Sequence, residues 1–181
     1  MSQISPPSPP STPRVDYGEA ARRHHHDAEM LFTAGRRGNA DHLYGIAAEC
    51  ALLGILRTSP TAAGLFNADG ALKDRERRKH IDVLWTQFCK EAAGFRLGTA
   101  VGRLKEAYPA KAQPSKSQYR AGQPGPANPF QGWSVEQRYL SEAAMATEVT
   151  DEILEKHRAA AKRCLTLLDE LRPARSAGAP Q

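Results

Sequence analysis

The chain has 181 residues, with 25 lysines and arginines against 20 acids and a formal charge of +5. That length suffices for one domain with a core of its own. No apolar run approaches the ~20 residues that span a bilayer, and the opening "MSQISPPSPPSTPRV" lacks the hydrophobic stretch of a signal peptide, so the expectation is a cytoplasmic protein without a membrane segment.

Cys50, Cys89 and Cys164 are odd in number, widely spaced and without a C-x-x-C pair, which suits reduced core residues. Residues 1–13 are rich in Pro and Ser with no apolar periodicity, and they are expected to form a disordered tail, as are residues 173–181. From Asp16 the pattern changes: Tyr17, Ala20, Ala21, Ala28, Leu31 and Phe32 fall at helical spacing and Gly35 supplies a stop. Asn39 is the expected cap of a second helix, "ADHLYGIAAECALLGILRT", whose apolar content is nearly continuous up to Ser59 and Pro60.

Residues 60–73 read as a loop built on Gly64, Asn67 and Gly70. A third helix follows in "DRERRKHIDVLWTQFCKEAAG", with Ile81, Leu84, Trp85, Phe88 and Ala92 on one face. "FRLGTAVGRLKEAY" is a shorter helix weakened by two glycines, each costing roughly 1 kcal/mol relative to alanine. Residues 109–133 carry several prolines and only basic charge, and read as a long crossover. The last helix is predicted to start near Glu142 and run to Pro173, with Val149, Ile153, His157, Ala160, Cys164, Leu167, Leu168 and Leu171 on one stripe.

No stretch alternates with a period of two. The predicted fold class is all-α: an up-and-down helical bundle of four main helices plus a short extra helix, with one long Pro/Gly-rich crossover, spanning residues 14–172.

Three groups of residues could carry chemistry. His24, His25 and His26 suggest metal, but neighbours on a helix point about 100° apart and cannot converge on one ion, so the run reads as a partly exposed polar face. No metal or cofactor is called for. Glu49 lies in the most apolar part of the chain, and a buried carboxylate needs a cationic partner, for which His42, His80 and Arg138 are the candidates, with Asp41 beside His42. The same glutamate would otherwise face a wet groove or line a ligand-binding or catalytic pocket.

The third group is "NPFQGWSVEQRYL", where Phe130 and Trp133 can pin the crossover to the bundle. Arg138 followed by Tyr139 can bind a phosphate and stack a base, or Arg138 can pair with an acid such as Glu49.

A helical bundle with "NADHLYGIAAECALLGIL" in its second helix, "KHIDVLW" leading into its third and "QRY" before its last resembles the HEPN superfamily, particularly its stand-alone members and those accompanying minimal nucleotidyltransferases. The resemblance covers roughly residues 16–170. It implies a homodimer and an RNA- or nucleotide-related role. In the nuclease members of that superfamily an arginine, four to six residues and a histidine cleave RNA without metal at a dimer interface, and Arg75 and His80 match in spacing. Arg36 and Arg37 also stand at allowed spacings from His42, and Arg75 departs from the pattern by preceding the third helix and being followed by Glu76. Whether the chain is an enzyme therefore stays open.

Three functional readings are carried forward. The first is a HEPN-like nucleotide- or RNA-binding module working with a separately encoded partner, such as a nucleotidyltransferase or a defence effector, in a prokaryotic defence or toxin–antitoxin system. The second is a toxin-like, metal-independent ribonuclease acting as a dimer through Arg75 and His80. The third is a helical scaffold without a nucleic-acid role.

Overall fold

In a computed structural model, the described residues are 15–60, 62–73, 80–81, 84–85, 88–89, 102–104, 106–109 and 127–171. The expected tails at 1–13 and 173–181, Arg75, Ala92 and most of the crossover lie outside them. The described part is mostly helical and contains no named strand, in agreement with an all-α chain.

Helix α1 spans Tyr17–Thr33. Asp16, in extended backbone, caps it by accepting from the Glu19 amide at 2.9 Å, and Glu19 places negative charge in the first turn, where the helix dipole favours it. Gly35, at φ 73°, turns the chain out of the helix in a conformation that a side chain disfavours, and the amide of Arg36 closes back on the Leu31 carbonyl at 2.8 Å.

That turn is tight enough for helix α2, Arg37–Arg57, to begin two residues before the expected cap. Arg36 is the N-cap residue and makes no side-chain cap bond, so Asn39 lies inside the first turn and does not cap the helix. Ala40, Tyr44, Ala47, Ala48, Ala51, Leu52 and Ile55 are all fully buried, which covers more than one face. A helix apolar nearly all round belongs in the middle of a fold. Accordingly α2 packs against α1 on one side and against the last helix on another.

The loop after α2 holds a 3-10 turn at Ala63–Leu65 and an isolated antiparallel bridge between Phe66 and Leu72, with Gly70 at φ 85° between them. Beyond it Ile81, Leu84, Trp85, Phe88 and Cys89 are helical and buried, four of them on the face expected for the third helix. Leu104, in the helical residues 102–104, is fully buried as well. Phe130 and Trp133 are both buried, so the end of the crossover is docked by its aromatics. A 3-10 turn follows at Val135–Tyr139, capped by Ser134.

The final element corrects the sequence reading. It is two helices, α3 at Glu142–Glu148 and α4 at Asp151–Leu171, and not one. Val149 leaves helical geometry at φ −103°, ψ 75°, and the Thr150 hydroxyl accepts from the Ile153 amide at 3.3 Å, starting α4 afresh with Asp151 and Glu152 in its first turn. Two β-branched residues in succession, the second a good cap, favour this break over a continuous helix. The break swings Val149 into the core, where it is 2% exposed. Leu154, His157, Ala160, Ala161, Cys164, Leu165, Leu167 and Leu168 form the buried face of α4, while Ile153 and Leu171 from the predicted stripe are only partly buried.

Helices α1, α2 and α4 are tied by one polar knot. Glu29 on α1 accepts from the Tyr44 hydroxyl on α2 at 2.7 Å and from Nε and Nη2 of Arg158 on α4 at 2.8 and 2.7 Å. The fork of Arg158 meets both carboxylate oxygens. Its hydrogen bonds hold the Glu29 carboxyl down at about 2, and the Arg158 guanidinium also lies 4.2 Å from the Phe32 ring centroid.

Candidate functional site

A second polar connection lies between α2 and α4. His157 donates from Nδ1 to Oδ1 of Asp41 at 2.7 Å, and both side chains are buried. A carboxylate oxygen accepts, so Nδ1 is the donor of this bond. Phe130 stacks on His157 with ring centroids 5.1 Å apart, and Trp133 donates from Nε1 to the backbone carbonyl of Asp41 at 3.2 Å. The two aromatics at the end of the crossover thus close over the Asp41–His157 pair.

Trp133 can approach α2 this closely because residue 45 is glycine: a Cβ there would stand 2.0 Å from the indole ring. The indole in turn gathers histidines. His42 stacks on it at 5.7 Å with the planes 20° apart, and His80 is tilted against it at 6.5 Å. Burial lowers the His42 pKa, and the charge of Arg138 lowers it further. His80, by contrast, is exposed.

Next to this cluster is a groove of about 490 Å³. Arg36, Arg37 and Asn39 reach it from the start of α2, Arg138 from the 3-10 turn, Glu142 from α3 and Asp151 from the start of α4. Leu140, Met145 and Val149 give it apolar lining. Arg37 and Asp151 are joined in an ion pair across α2 and α4. Neither Arg36, Arg138 nor Glu142 has an ion pair among the described residues. The Arg138 guanidinium lies 4.7 Å from the ring centroid of Tyr139, which is 71% exposed.

The structure thus brings together Asp41, His42, His80 and Trp133, with Arg138 within electrostatic reach and Tyr139 beside it. Arg75 lies outside the described residues. Glu49 stands apart. Among the described residues it has no hydrogen bond or ion pair, and burial alone raises its pKa to about 7. The expected cation is not there because His42 and His80 are turned to Trp133 and Arg138 to Tyr139. The carboxylate that does meet a histidine is Asp41, and its partner is His157.

His157 was visible in sequence as the one imidazole in the apolar stripe of the last helix, a position where a polar ring needs a partner. Arg36 and Arg37 drew notice only for their spacing to His42. Nothing local marked Glu142 as a groove residue, because it enters through the unforeseen break that makes α3 a separate helix. Among the described residues no three His, Cys, Asp or Glu side chains are grouped to hold a metal ion, and no helix is long and apolar enough to cross a membrane.

Chemically, the cluster divides into a closed part and an open part. His157, 2% exposed beneath Phe130, is placed to fix α4 on α2 and not to touch a polymer. Arg36, Arg138, Tyr139, His80 and Glu142 are exposed and accessible to a ligand. Comparison with protein-family models, curated proteins and solved structures returns no match to this chain.

Proposed function

We propose that the chain is a cytoplasmic nucleotide- or RNA-binding module, built as an up-and-down helical bundle, that works with a separately encoded partner. One observation carries the reading: Arg36 and Arg138, without ion-pair partners among the described residues, share a groove, and an exposed tyrosine stands beside it. Guanidinium groups give phosphate strong, charge-assisted hydrogen bonds, and a tyrosine face stacks any base at a gain of roughly 1–3 kcal/mol. The stack of Arg138 on Tyr139 holds both side chains in place before the ligand arrives, which lowers the ordering cost of binding.

The resemblance to HEPN proteins supports a partner such as a nucleotidyltransferase or defence effector, and a homodimer. The test of the binding reading is fluorescence anisotropy of a labelled single-stranded RNA with wild-type protein, Arg36→Ala and Arg138→Ala at several salt concentrations. Each substitution weakens binding and makes its salt dependence shallower. Equal affinity and equal salt slope in all three proteins would sink it.

A further inference from the structure

The groove carries both signs of charge. A surface that only tracks a nucleic-acid backbone gains nothing from a carboxylate among its arginines, since that charge repels every phosphate. Glu142 nonetheless lines the same groove as Arg36 and Arg138. Asp151 is held by Arg37, which leaves Glu142 as the lining carboxylate with no ion-pair partner among the described residues. The volume of about 490 Å³ lies in the range of sites for one small molecule, and the partly exposed Leu140 and Met145 offer apolar surface for a flat ring.

A carboxylate beside an apolar surface that receives a base selects among bases by their donors. An ionised carboxylate has two acceptor oxygens and no proton. Guanine presents two adjacent donors on its Watson–Crick edge, the N1–H and the 2-amino group. Adenine and cytosine present one donor next to an acceptor, and uracil presents one donor between two carbonyls whose lone pairs oppose the carboxylate. Only guanine satisfies both oxygens at once, as a guanidinium does.

We infer that the groove takes a guanine nucleotide, with Arg36 and Arg138 on the phosphate, Leu140 and Met145 against the ring, and Glu142 on the N1–H and 2-amino edge. This rests on the nucleotide-binding reading above and names its ligand. In RNA, the base next to the bound guanine is the one that reaches Tyr139.

Isothermal titration calorimetry of the full chain with GMP, IMP, AMP, CMP and UMP, at one pH and ionic strength, tests it. GMP binds about 10- to 100-fold more tightly than UMP, the discrimination expected of a bidentate contact. IMP, which keeps the N1–H and lacks the amino group, falls between them. Glu142→Gln and Glu142→Ala both abolish the preference and leave UMP binding unchanged or tighter, while circular dichroism and Tm stay those of the wild type. Five equal affinities, or a guanine preference that survives in either Glu142 variant, overturn the inference and leave the phosphate-binding reading standing. No binding of any mononucleotide or of RNA overturns both.

Discussion

His157 and Asp41 are 116 positions apart in the chain and 2.7 Å apart in the fold, bonded side chain to side chain with almost no solvent at either. A buried polar group stabilises a fold only while its partner is present. Asp41→Ala and His157→Ala are therefore each expected to cost about 1–3 kcal/mol in urea unfolding, through the group left behind unpaired. The double variant costs less than the sum of the two, by a coupling of about 0.5–3 kcal/mol. Strictly additive effects would show that the contact contributes nothing to stability.

Gly45 allows the Trp133 indole to lie against α2. Gly45→Ala places a methyl inside the ring position and is expected to destabilise by about 1–3 kcal/mol despite the better helix propensity of alanine. In a Trp85→Phe background the emission of Trp133 moves to the red as the ring is displaced. An unshifted spectrum and an unchanged midpoint would mean that the indole has room to spare.

Glu49 gives a dependence on pH with a definite sign. Its folded-state pKa is raised to about 7 by burial, from an ordinary value of 4.5, so the native state holds a proton that the unfolded chain has released. Stability accordingly falls as pH rises from about 4.5 to 7, by at most on the order of 3 kcal/mol, and stays low above that window. Glu49→Gln is expected to raise Tm at pH 8 and to change it little at pH 4. A variant no more stable than the wild type at pH 8 would place the carboxylate in water.

The two chemical roles open to this chain separate in two residues. For a binding module, Arg138→Ala weakens RNA or nucleotide association by about 1–3 kcal/mol, while His80→Ala changes it little. For a ribonuclease, His80→Ala would instead abolish turnover at nearly unchanged affinity, because acid–base help acts on the transition state and is worth ~100-fold or more. The expected outcome is the first. RNA cleavage that resists chelator and disappears in both Arg75→Ala and His80→Ala, with the variants folded, would establish the second.

Features set by near neighbours were legible in the sequence. The onset of α1 at Asp16, its stop at Gly35, the apolar run of α2 and the docking of Phe130 and Trp133 all follow from residues within a few positions of one another. So did the juxtaposition of Arg138 and Tyr139. The failures are long-range or competitive. Asp41 and His157 share no local pattern, and Glu49 looked the more costly carboxylate because hydropathy around a residue says nothing of which helix will face it. The break at Val149 turned on a contest between continuing one helix and capping a new one at Thr150, and the cap prevailed where periodicity favoured continuity.

That break leaves α3 as two helical turns that bury none of their residues, between a 3-10 turn and a helix rooted in the core. Segments with so little buried surface open by themselves, at a free energy far below that of global unfolding. Backbone amides of 142–148 should exchange with deuterium well before those of 154–168. Since α3 contributes Glu142 and Met145 to the groove, anything bound there would slow that exchange, and the protection of one short helix becomes a label-free gauge of occupancy.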